Sequence, residues 1–181
     1  MVIVDLADRR DLIGQVAEIL LSGFRDRWPL AWPDLPSSIA EVEESLGAGR
    51  ISLVAVDGDN AIGWIGAIPS YDNAWELHPL VVAPERHGEG IGRALVERLE
   101  ERIAAMGGAT IYLGTDDQDG STSVSGVDLY PDPLSHLARI ESDHPFQFYR
   151  KLGYALVGII PDANGPGQPD ILMARRIAKG P

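Results

Sequence analysis

The stretch WELHPLVVAPERHGEGIGRALVERLEER, Trp75–Arg102, places a cluster of glycines between an apolar run and an amphipathic helical pattern. The apolar run is typical of a buried strand, and apolar residues recur at every fourth position after the glycines. Gly88, Gly90 and Gly92 therefore lie where a strand is followed by a helix. Free backbone N–H groups and the helix dipole bind anions at such a junction, and phosphate is the natural occupant. The alternative is a tight turn that holds no ligand.

Two common phosphate-binding motifs do not fit this junction. A dinucleotide fingerprint needs glycines at its first, third and sixth positions, and counting from Gly88 places Arg93 at the sixth. A P-loop needs a lysine followed by a hydroxyl residue, and no lysine occurs between residues 2 and 150. Neither motif therefore accounts for these glycines.

The chain has 181 residues and a net charge of −12, from 15 basic and 27 acidic side chains. This length fits one domain with room for an insertion. The acidic balance argues against nucleic acid as a partner, because nucleic acid needs a basic face, and it favours cationic ligands. The absence of cysteine excludes disulfide scaffolds, thiol catalysis and cysteine-bound zinc. No long apolar run or leader is present, so we expect a cytoplasmic protein with no membrane partner.

Hydrophobic periodicity predicts a mixed α/β chain without repeats. The predicted strands cover residues 2–7, 50–58, 61–71, 74–84, 110–117, 155–161 and 170–177. The predicted helices cover residues 10–24, a second segment capped by Ser37 or Ser38, residues 91–106 closed by Gly107, and a short segment within 145–154. Tryptophans and prolines after the first helix predict an ordered loop.

The segment LVVAPERHGEGIGRALVERLEE resembles the acetyl-CoA pyrophosphate loop of the GNAT superfamily of N-acetyltransferases. That loop is usually written Gln/Arg-x-x-Gly-x-Gly/Ala, and here His87 stands at its first position, beside Arg86. The resemblance implies an α/β (α+β) GNAT fold, with a central mixed β-sheet splayed at the acetyl-CoA cleft and flanked by helices. Pro79 fits a bulge at that splay. The residues that the resemblance implies for acetyl-CoA are Leu80, Val81, Val82, His87, Gly88, Gly90, Ile91, Gly92 and Arg93.

The stretches WELHPLVV, YLGTDD, FYRKLGY and IPDANG with PDI together resemble the aminoglycoside 6′-N-acetyltransferases, over about residues 50–175. The resemblance implies one acetyltransferase domain, residues 1–181, with an acidic insert at about 115–144. It implies that the acetyl group of acetyl-CoA passes to the 6′-amino group of an aminoglycoside antibiotic by direct attack in a ternary complex, which confers resistance. A homodimer is also implied.

Glu76 and His78 lie two residues apart in a predicted strand, so both side chains point to one face. Acetyl transfer needs a neutral amine and a proton for the departing thiolate. The resemblance implies that Glu76 contacts the substrate amine, or a water that serves as its base, and that Tyr149 lies near the sulfur of coenzyme A. Backbone N–H groups near Leu80 and Val82 would polarise the thioester carbonyl. The structural alternatives are a solvent-facing Glu76 and a Tyr149 that only packs in the core.

An acidic segment lies between Thr115 and His144, and Arg139 is its one basic residue. Its carboxylates belong to Asp116, Asp117, Asp119, Asp128, Asp132, Glu141 and Asp143. Carboxylate–ammonium hydrogen bonds would hold a polycationic amine here. The resemblance makes Asp119 the first candidate for such a contact, with Asp116 beside it. The alternative is that these carboxylates coat a solvated loop or cap local turns.

Aromatic side chains are expected to form the opposite wall of the substrate site. His78 is expected to line the cleft or contact substrate, and Trp28 and Trp32 to stack on sugar rings, with ordinary loop packing as the alternative. The four histidines show no ligand spacing with a paired carboxylate, so no metal site is predicted. Two other functions stay open: acetyl transfer to a polyamine or other small amine, and binding of acetyl-CoA without turnover.

Overall fold

The computed structural model describes residues 1–141 and 144–178. Within them lie the strands β1 (Val2–Asp5), β2 (Ile51–Asp57), β3 (Asn60–Tyr71), β4 (Ala74–Val82), β5 (Thr110–Asp116), β6 (Ala155–Ile160) and β7 (Asp170–Arg176). The α-helices are α1 (Ile13–Phe24), α2 (Leu35–Glu44), α3 (Ile91–Ala105), α4 (Pro133–Ala138) and α5 (Phe146–Lys151). The predicted mixed α/β fold is confirmed, with seven strands flanked by helices. No helix in these ranges is long and apolar enough to cross a bilayer.

The chain divides into two compact units, each with its own strands. The first comprises Met1–Ile111 and the residues from Ile177 onward, and the second comprises Tyr112–Arg176. In the first unit the strand order is β1-β2-β3-β4, and each neighbouring pair is antiparallel. In the second unit the order is β5-β7-β6, and β6 pairs antiparallel with β7. β5 begins with the last residues of the first unit and continues in the second.

Two amphipathic helices, α1 and α3, cover the strands of the first unit, and both contact β3 and β4. The residues that they bury are Val16, Ala17, Ile19 and Leu20 of α1 and Ile91, Leu95, Val96, Leu99 and Ile103 of α3. Burial of each large aliphatic side chain contributes about 1.5–3 kcal/mol relative to its exposure. Gly107 follows α3 with a φ of +89°, which confirms the predicted end of the helix.

The pairing of β3 with β4 contains a bulge. The register shifts between Ile65 and Ala67, so Gly66 alone faces both His78 and Pro79. The peptide bond between the latter two residues is cis. A Cβ on Gly66 would overlap the His78 carbonyl, so glycine is what allows the strands to approach here. The bulge predicted at the proline is confirmed, and it lies just ahead of the residues that lead into the glycine loop.

α2 begins earlier than the sequence predicted. Its N-cap is Asp34, whose side chain accepts a hydrogen bond from the Ser37 N–H at 2.9 Å, so the expectation of a cap at Ser37 or Ser38 is wrong. Ser37 is instead the third helical residue and completes a capping box with Asp34. Pro36 lies in the first helical turn, where a missing N–H costs no intrahelical hydrogen bond. This proline therefore belongs to the helix rather than to the loop before it.

The acidic insert contains a helix that the sequence did not predict. α4 has only six residues, too few for hydrophobic periodicity to reveal, and Asp132 caps it by accepting from the Ser135 N–H at 3.2 Å. A backbone hydrogen bond links the chain on either side of this helix: the Ser123 N–H donates to the Glu141 carbonyl at 3.0 Å. Asp143 lies outside the described residues. Where it is described, the insert is an ordered part of the second unit.

Candidate active site

The side chains of β4 alternate between the core and a half-buried face, as the two-residue period of a strand requires. The buried set is Trp75, Leu77, Pro79 and Val81, and the half-buried set is Glu76, His78, Leu80 and Val82. The structure therefore places the carboxylate of Glu76 and the imidazole of His78 on the same face. The polar side chains lie at one end of this face, and the stretch Leu80–Val82 lies at the end nearer the glycine loop.

Glu41, on α2, connects this face to the loop between α1 and α2 that carries Trp28 and Trp32, the tryptophan loop. Its Oε1 lies 3.7 Å from Nε2 of His78, and its Oε2 accepts a hydrogen bond from the Trp32 indole N–H at 3.2 Å. The Glu41 side chain is only 18% exposed, and carboxylates this buried are normally paired. Glu41 was not among the predicted site residues. A signal was available, since Glu41 lies on the helix side that buries Ser38 and Val42, where a glutamate is unusual.

Aromatic packing fixes the tryptophan loop beside the same face. The ring centroid of Phe24 lies 5.3 Å from that of Trp28 and 4.7 Å from that of Trp32, the second pair meeting edge to face. The Trp32 ring also lies 6.0 Å from the His78 ring. Edge-to-face pairs are favourable because the positive edge of one ring meets the negative face of the other. Trp32 is thus held next to His78. Trp28 packs on the Phe24 ring and is half-buried.

The loop between β4 and α3 has the geometry of an anion site. One 3₁₀ turn, Pro84–Arg86, follows β4, and Gly88 and Gly90 then have φ values of +85° and +81°. Gly90 is the N-cap of α3 and contributes no side-chain hydrogen bond, so no side chain there competes for the first N–H groups of the helix. A Cβ on either glycine would meet only open space. The loop therefore fits a diphosphate, because it combines an open approach with the positive end of a helix.

The side chains of this loop are held by protein groups. The His87 ring donates from Nε2 to the Val82 carbonyl at 3.0 Å. Arg86 Nε lies 2.8 Å from both carboxylate oxygens of Glu89, and Arg86 Nη1 lies 3.2 Å from Asp57 of β2. The Arg86 guanidinium lowers the pKa of the Glu89 carboxyl below its usual value, and Glu89 and Asp57 raise the pKa of Arg86. Arg86 and His87, the two residues near the first position of the pyrophosphate pattern, are thus both bound to other protein groups.

The acidic residues of the second unit have different surroundings. Asp117 is fully buried, and its carboxylate accepts hydrogen bonds from the N–H of Ser121 at 2.8 Å, the N–H of Thr122 at 3.2 Å and the Thr122 hydroxyl. Asp119 is exposed and accepts from the Ser121 N–H at 3.2 Å. Asp117 therefore organises the loop, as the turn-capping alternative expected. Asp119 instead presents its carboxylate at the surface.

The carboxylate of Asp116 is held by the segment IPDANG. Asp116 is half-buried, and its Oδ1 accepts a hydrogen bond from Nδ2 of Asn164 at 2.5 Å. In the same segment, Asp162 has a φ of +54°, and its Oδ1 accepts from the Gly167 N–H at 2.6 Å. The turn that this bond closes carries Asn164 to Asp116. Asn164 was not predicted as a site residue, although its segment was one of those that carried the resemblance.

His144 is buried in the second unit and is bound on both ring nitrogens. The Phe146 N–H donates to Nδ1 at 3.3 Å, so Nε2 carries the proton and donates to the Asp116 carbonyl at 3.0 Å. Ligand-type atoms of Asp117, Asp119 and His144 lie within 4.8 Å of one another. A metal needs a free lone pair on the imidazole, and here both nitrogens serve the backbone. This trio is therefore not a ready metal ligand set.

Tyr149 lies on α5 among other aromatic rings. Its ring centroid is 5.1 Å from that of Phe148 and 5.7 Å from that of Tyr154. Burial raises the pKa of the Tyr149 phenol well above its usual range, and the phenol is protonated at neutral pH, as an ordinary tyrosine is. A protonated phenol can donate to a developing anion. The packing expected of a core aromatic is therefore compatible with a proton-donating hydroxyl.

The predicted site residues fall into the two units of the chain. The first unit holds Trp28, Glu76, His78, Leu80, Val81, Val82, His87, Gly88, Gly90, Ile91, Gly92 and Arg93, and the second holds Asp116, Asp119 and Tyr149. Within the first unit, the structure brings His78 into contact with Glu41 and places Trp32 beside both. Within the second, it separates the structural carboxylate of Asp117 from the exposed one of Asp119.

The sequence and the fold match known acetyltransferases. The family model "Acetyltransferase (GNAT) family" matches residues 14–124. A crystal structure of an aminoglycoside 6′-N-acetyltransferase complexed with coenzyme A is 45% identical, with a TM-score of 0.91 and coverage of 100% of this chain and 99% of that one. The aminoglycoside 6′-N-acetyltransferase from Enterococcus faecium is 42% identical, with a TM-score of 0.88 and the same coverage of 100% and 99%. An aminoglycoside 6′-acetyltransferase type Ii is 39% identical, with a TM-score of 0.76 and both chains covered completely. Among curated proteins, no sequence matches.

These matches confirm the resemblance on which the sequence interpretation rested. GNAT enzymes use acetyl-CoA, and the first of these structures contains coenzyme A. The glycine loop, with its left-handed glycines and open approach to the start of α3, fits the diphosphate of that cosubstrate. The chain belongs to the acetyltransferase (GNAT) family.

Proposed function

We propose that this enzyme transfers the acetyl group of acetyl-CoA to the 6′-amino group of aminoglycoside antibiotics, by direct attack of the amine in a ternary complex. The observation that carries the proposal is similarity of 39–45% identity, over the whole chain, to three proteins described as aminoglycoside 6′-acetyltransferases. The GNAT family shares its fold among many amine substrates, so the fold alone would not support this choice.

Glu76 acts at the amine. An aminoglycoside amine is largely protonated at neutral pH, and only its neutral form attacks a thioester. In the proposed mechanism, the Glu76 carboxylate accepts the amine proton, directly or through one water. Its place on the half-buried face of β4, two residues from His78, supports this role because partial burial strengthens a carboxylate–ammonium contact.

Acetyl-CoA supplies a thioester carbon, to which the amine nitrogen forms a bond as the carbon–sulfur bond breaks. Backbone N–H groups at Leu80 and Val82 would polarise the thioester carbonyl, and the Tyr149 hydroxyl would give its proton to the departing thiolate. The packing of the Tyr149 ring against Phe148 and Tyr154 supports this role, because it holds the phenol in one place.

An ammonium loses two protons on becoming an amide. Glu76 accepts the first, which frees the amine to attack, and later releases it to solvent. The second passes through solvent from the nitrogen to the Tyr149 phenolate after that phenol has protonated the thiolate, so protons and charges balance.

The substrate class follows from charge and aromatic surfaces. The exposed carboxylate of Asp119 and the half-buried one of Asp116 would bind ammonium groups, while Trp28 would stack on a sugar ring and His78 would line the cleft. The overall charge of −12 would draw a polycation toward the protein. We further propose that the enzyme acts as a homodimer in the cytoplasm, where acetyl-CoA is available, and that its activity confers resistance.

The test is release of free thiol from acetyl-CoA in the presence of kanamycin or tobramycin, with spermine as the competing cation and Glu76→Gln as the matched variant. The proposal expects rapid release with the aminoglycosides, slow release with spermine, and a loss of at least about 100-fold in kcat/KM for Glu76→Gln. A preference for spermine would identify the alternative, acetylation of a polyamine. No release with either, while coenzyme A binds, would identify a domain that binds the cosubstrate without turnover.

A further inference from the structure

The pyrophosphate loop contains one carboxylate, Glu89, between the two left-handed glycines Gly88 and Gly90. Glu89 directly precedes the N-cap of α3. A carboxylate at this position is itself attracted to the positive end of the helix. It would therefore compete with an incoming diphosphate for the same N–H groups and repel it by charge.

Arg86 engages this carboxylate. Its Nε lies 2.8 Å from both oxygens of Glu89, and its Nη2 lies 2.8 Å from Oε2. Its third nitrogen, Nη1, lies 3.2 Å from Oδ2 of Asp57, at the end of β2. All three guanidinium nitrogens thus face carboxylates, and one guanidinium links Glu89 to Asp57.

Stability alone does not account for this arrangement. The Arg86, Glu89 and Asp57 side chains are 30%, 46% and 50% exposed, and exposed ion pairs contribute little to folding. A direct phosphate contact by Arg86 would require the guanidinium to leave two carboxylates first.

We propose that Arg86 is a positioning residue for acetyl-CoA binding, which neutralises Glu89 and holds its carboxylate away from the N-terminus of α3 so that the diphosphate can bind there. This inference rests on the GNAT family assignment and not on the identity of the amine substrate. Arg86 acts through Glu89, so removal of Arg86 harms binding only while Glu89 is present.

The test is isothermal titration of the purified protein with coenzyme A, comparing the wild type with Arg86→Ala, Glu89→Gln and the double variant. Arg86→Ala should weaken binding about three- to tenfold, because it leaves an unscreened charge within one Debye length of the diphosphate. Glu89→Gln should bind as well as the wild type or better. The double variant, which has the same net charge as the wild type, should return to within about twofold of wild-type affinity.

Two alternatives give different patterns. If Arg86 contacts the phosphates itself, the double variant stays as weak as Arg86→Ala, and the proposal is wrong. If the ion pair only holds the loop in shape, all three variants bind weakly, and the proposal is equally wrong.

Matched controls keep the result specific. Arg98 and Glu101 of α3 form another ion pair with a spacing of three residues, at 3.1 Å and away from the loop, and Arg98→Ala should leave coenzyme A binding unchanged. Acetyl-pantetheine, which lacks the diphosphate, should bind to all variants with the same affinity. Loss of affinity for this ligand as well in Arg86→Ala would contradict a role at the diphosphate. Melting temperatures should agree among the variants, because the pair is exposed.

Discussion

Oε1 of Glu41 lies 3.7 Å from Nε2 of His78, while the other oxygen of the same carboxylate accepts the Trp32 indole N–H at 3.2 Å. One side chain of α2 thus fixes the spacing between the tryptophan loop and the half-buried face of β4. Because both partners border the face that carries Glu76, a change at Glu41 should act on the amine substrate rather than on acetyl-CoA.

Glu41→Ala should raise KM for the amine about tenfold, the effect of losing one charge-assisted contact, with KM for acetyl-CoA unchanged. Glu41→Gln keeps an acceptor for the Trp32 indole and should recover part of the loss. Steady-state kinetics with both substrates measures this split. Glu43→Ala, at an exposed position of the same helix, is the matched control and should behave like the wild type. An equal rise in both KM values would show that Glu41 serves only the fold.

Tyr149→Phe should lower the single-turnover rate by about 100-fold, because the phenol is the proposed proton donor to the thiolate. The ring contacts with Phe148 and Tyr154 persist in the variant, so the melting temperature and coenzyme A binding should change little. Rapid-quench measurement of acetyl transfer at saturating substrates isolates the chemical step. An unchanged rate would remove Tyr149 from the mechanism and leave it as a core aromatic.

Asp119→Asn should raise KM for an aminoglycoside about three- to tenfold, because an exposed carboxylate gives up one ammonium contact. Asp128 is the matched control, since it is also exposed and also accepts a backbone N–H two residues later, from Tyr130 at 3.2 Å. Kinetics of the two variants, measured at low and high salt, separates a local contact from general charge attraction. Equal effects at Asp119 and Asp128 would indicate attraction by the whole acidic surface.

Gly66→Ala should destabilise the protein by about 1–3 kcal/mol, because its Cβ would overlap the His78 carbonyl across the bulge. Gly14, near the start of α1, has no neighbouring atom within 4 Å of the position that a Cβ would take. Gly14→Ala should therefore be neutral or stabilise the fold by about 0.4–1 kcal/mol. Urea unfolding measures both variants. A neutral Gly66→Ala would mean that the bulge adjusts freely and does not define the shape of β4.

The parts of the site that local sequence encodes were predictable. Gly88 and Gly90 were identified because a strand, a glycine cluster and a helix follow one another directly, and the left-handed φ values bear out that geometry. The positions of Glu76 and His78 on one face followed from strand alternation. The bulge at Pro79 followed from the missing N–H of proline, which cannot take part in a regular ladder.

Other features depend on contacts that no local pattern records. Glu41 contacts His78 only because α2 packs near β4, so the local sequence around Glu41 does not reveal this contact. Asp117 and Asp119 are equivalent acidic residues in the sequence, and only the hydrogen bonds to Thr122 distinguish the buried one from the exposed one. Asp34 was overlooked as the cap of α2 because Pro36 was interpreted as a helix breaker, although proline is compatible with the first turn.

The most direct test of the central claim compares neomycin with paromomycin, which differ in carrying an amine or a hydroxyl at the 6′ position. The enzyme should release thiol from acetyl-CoA with neomycin, and NMR of the product should place the new acetyl group on the 6′ nitrogen, while paromomycin should give no release above background. Equal turnover of paromomycin, or acetylation of neomycin at another amine, would contradict the proposed function.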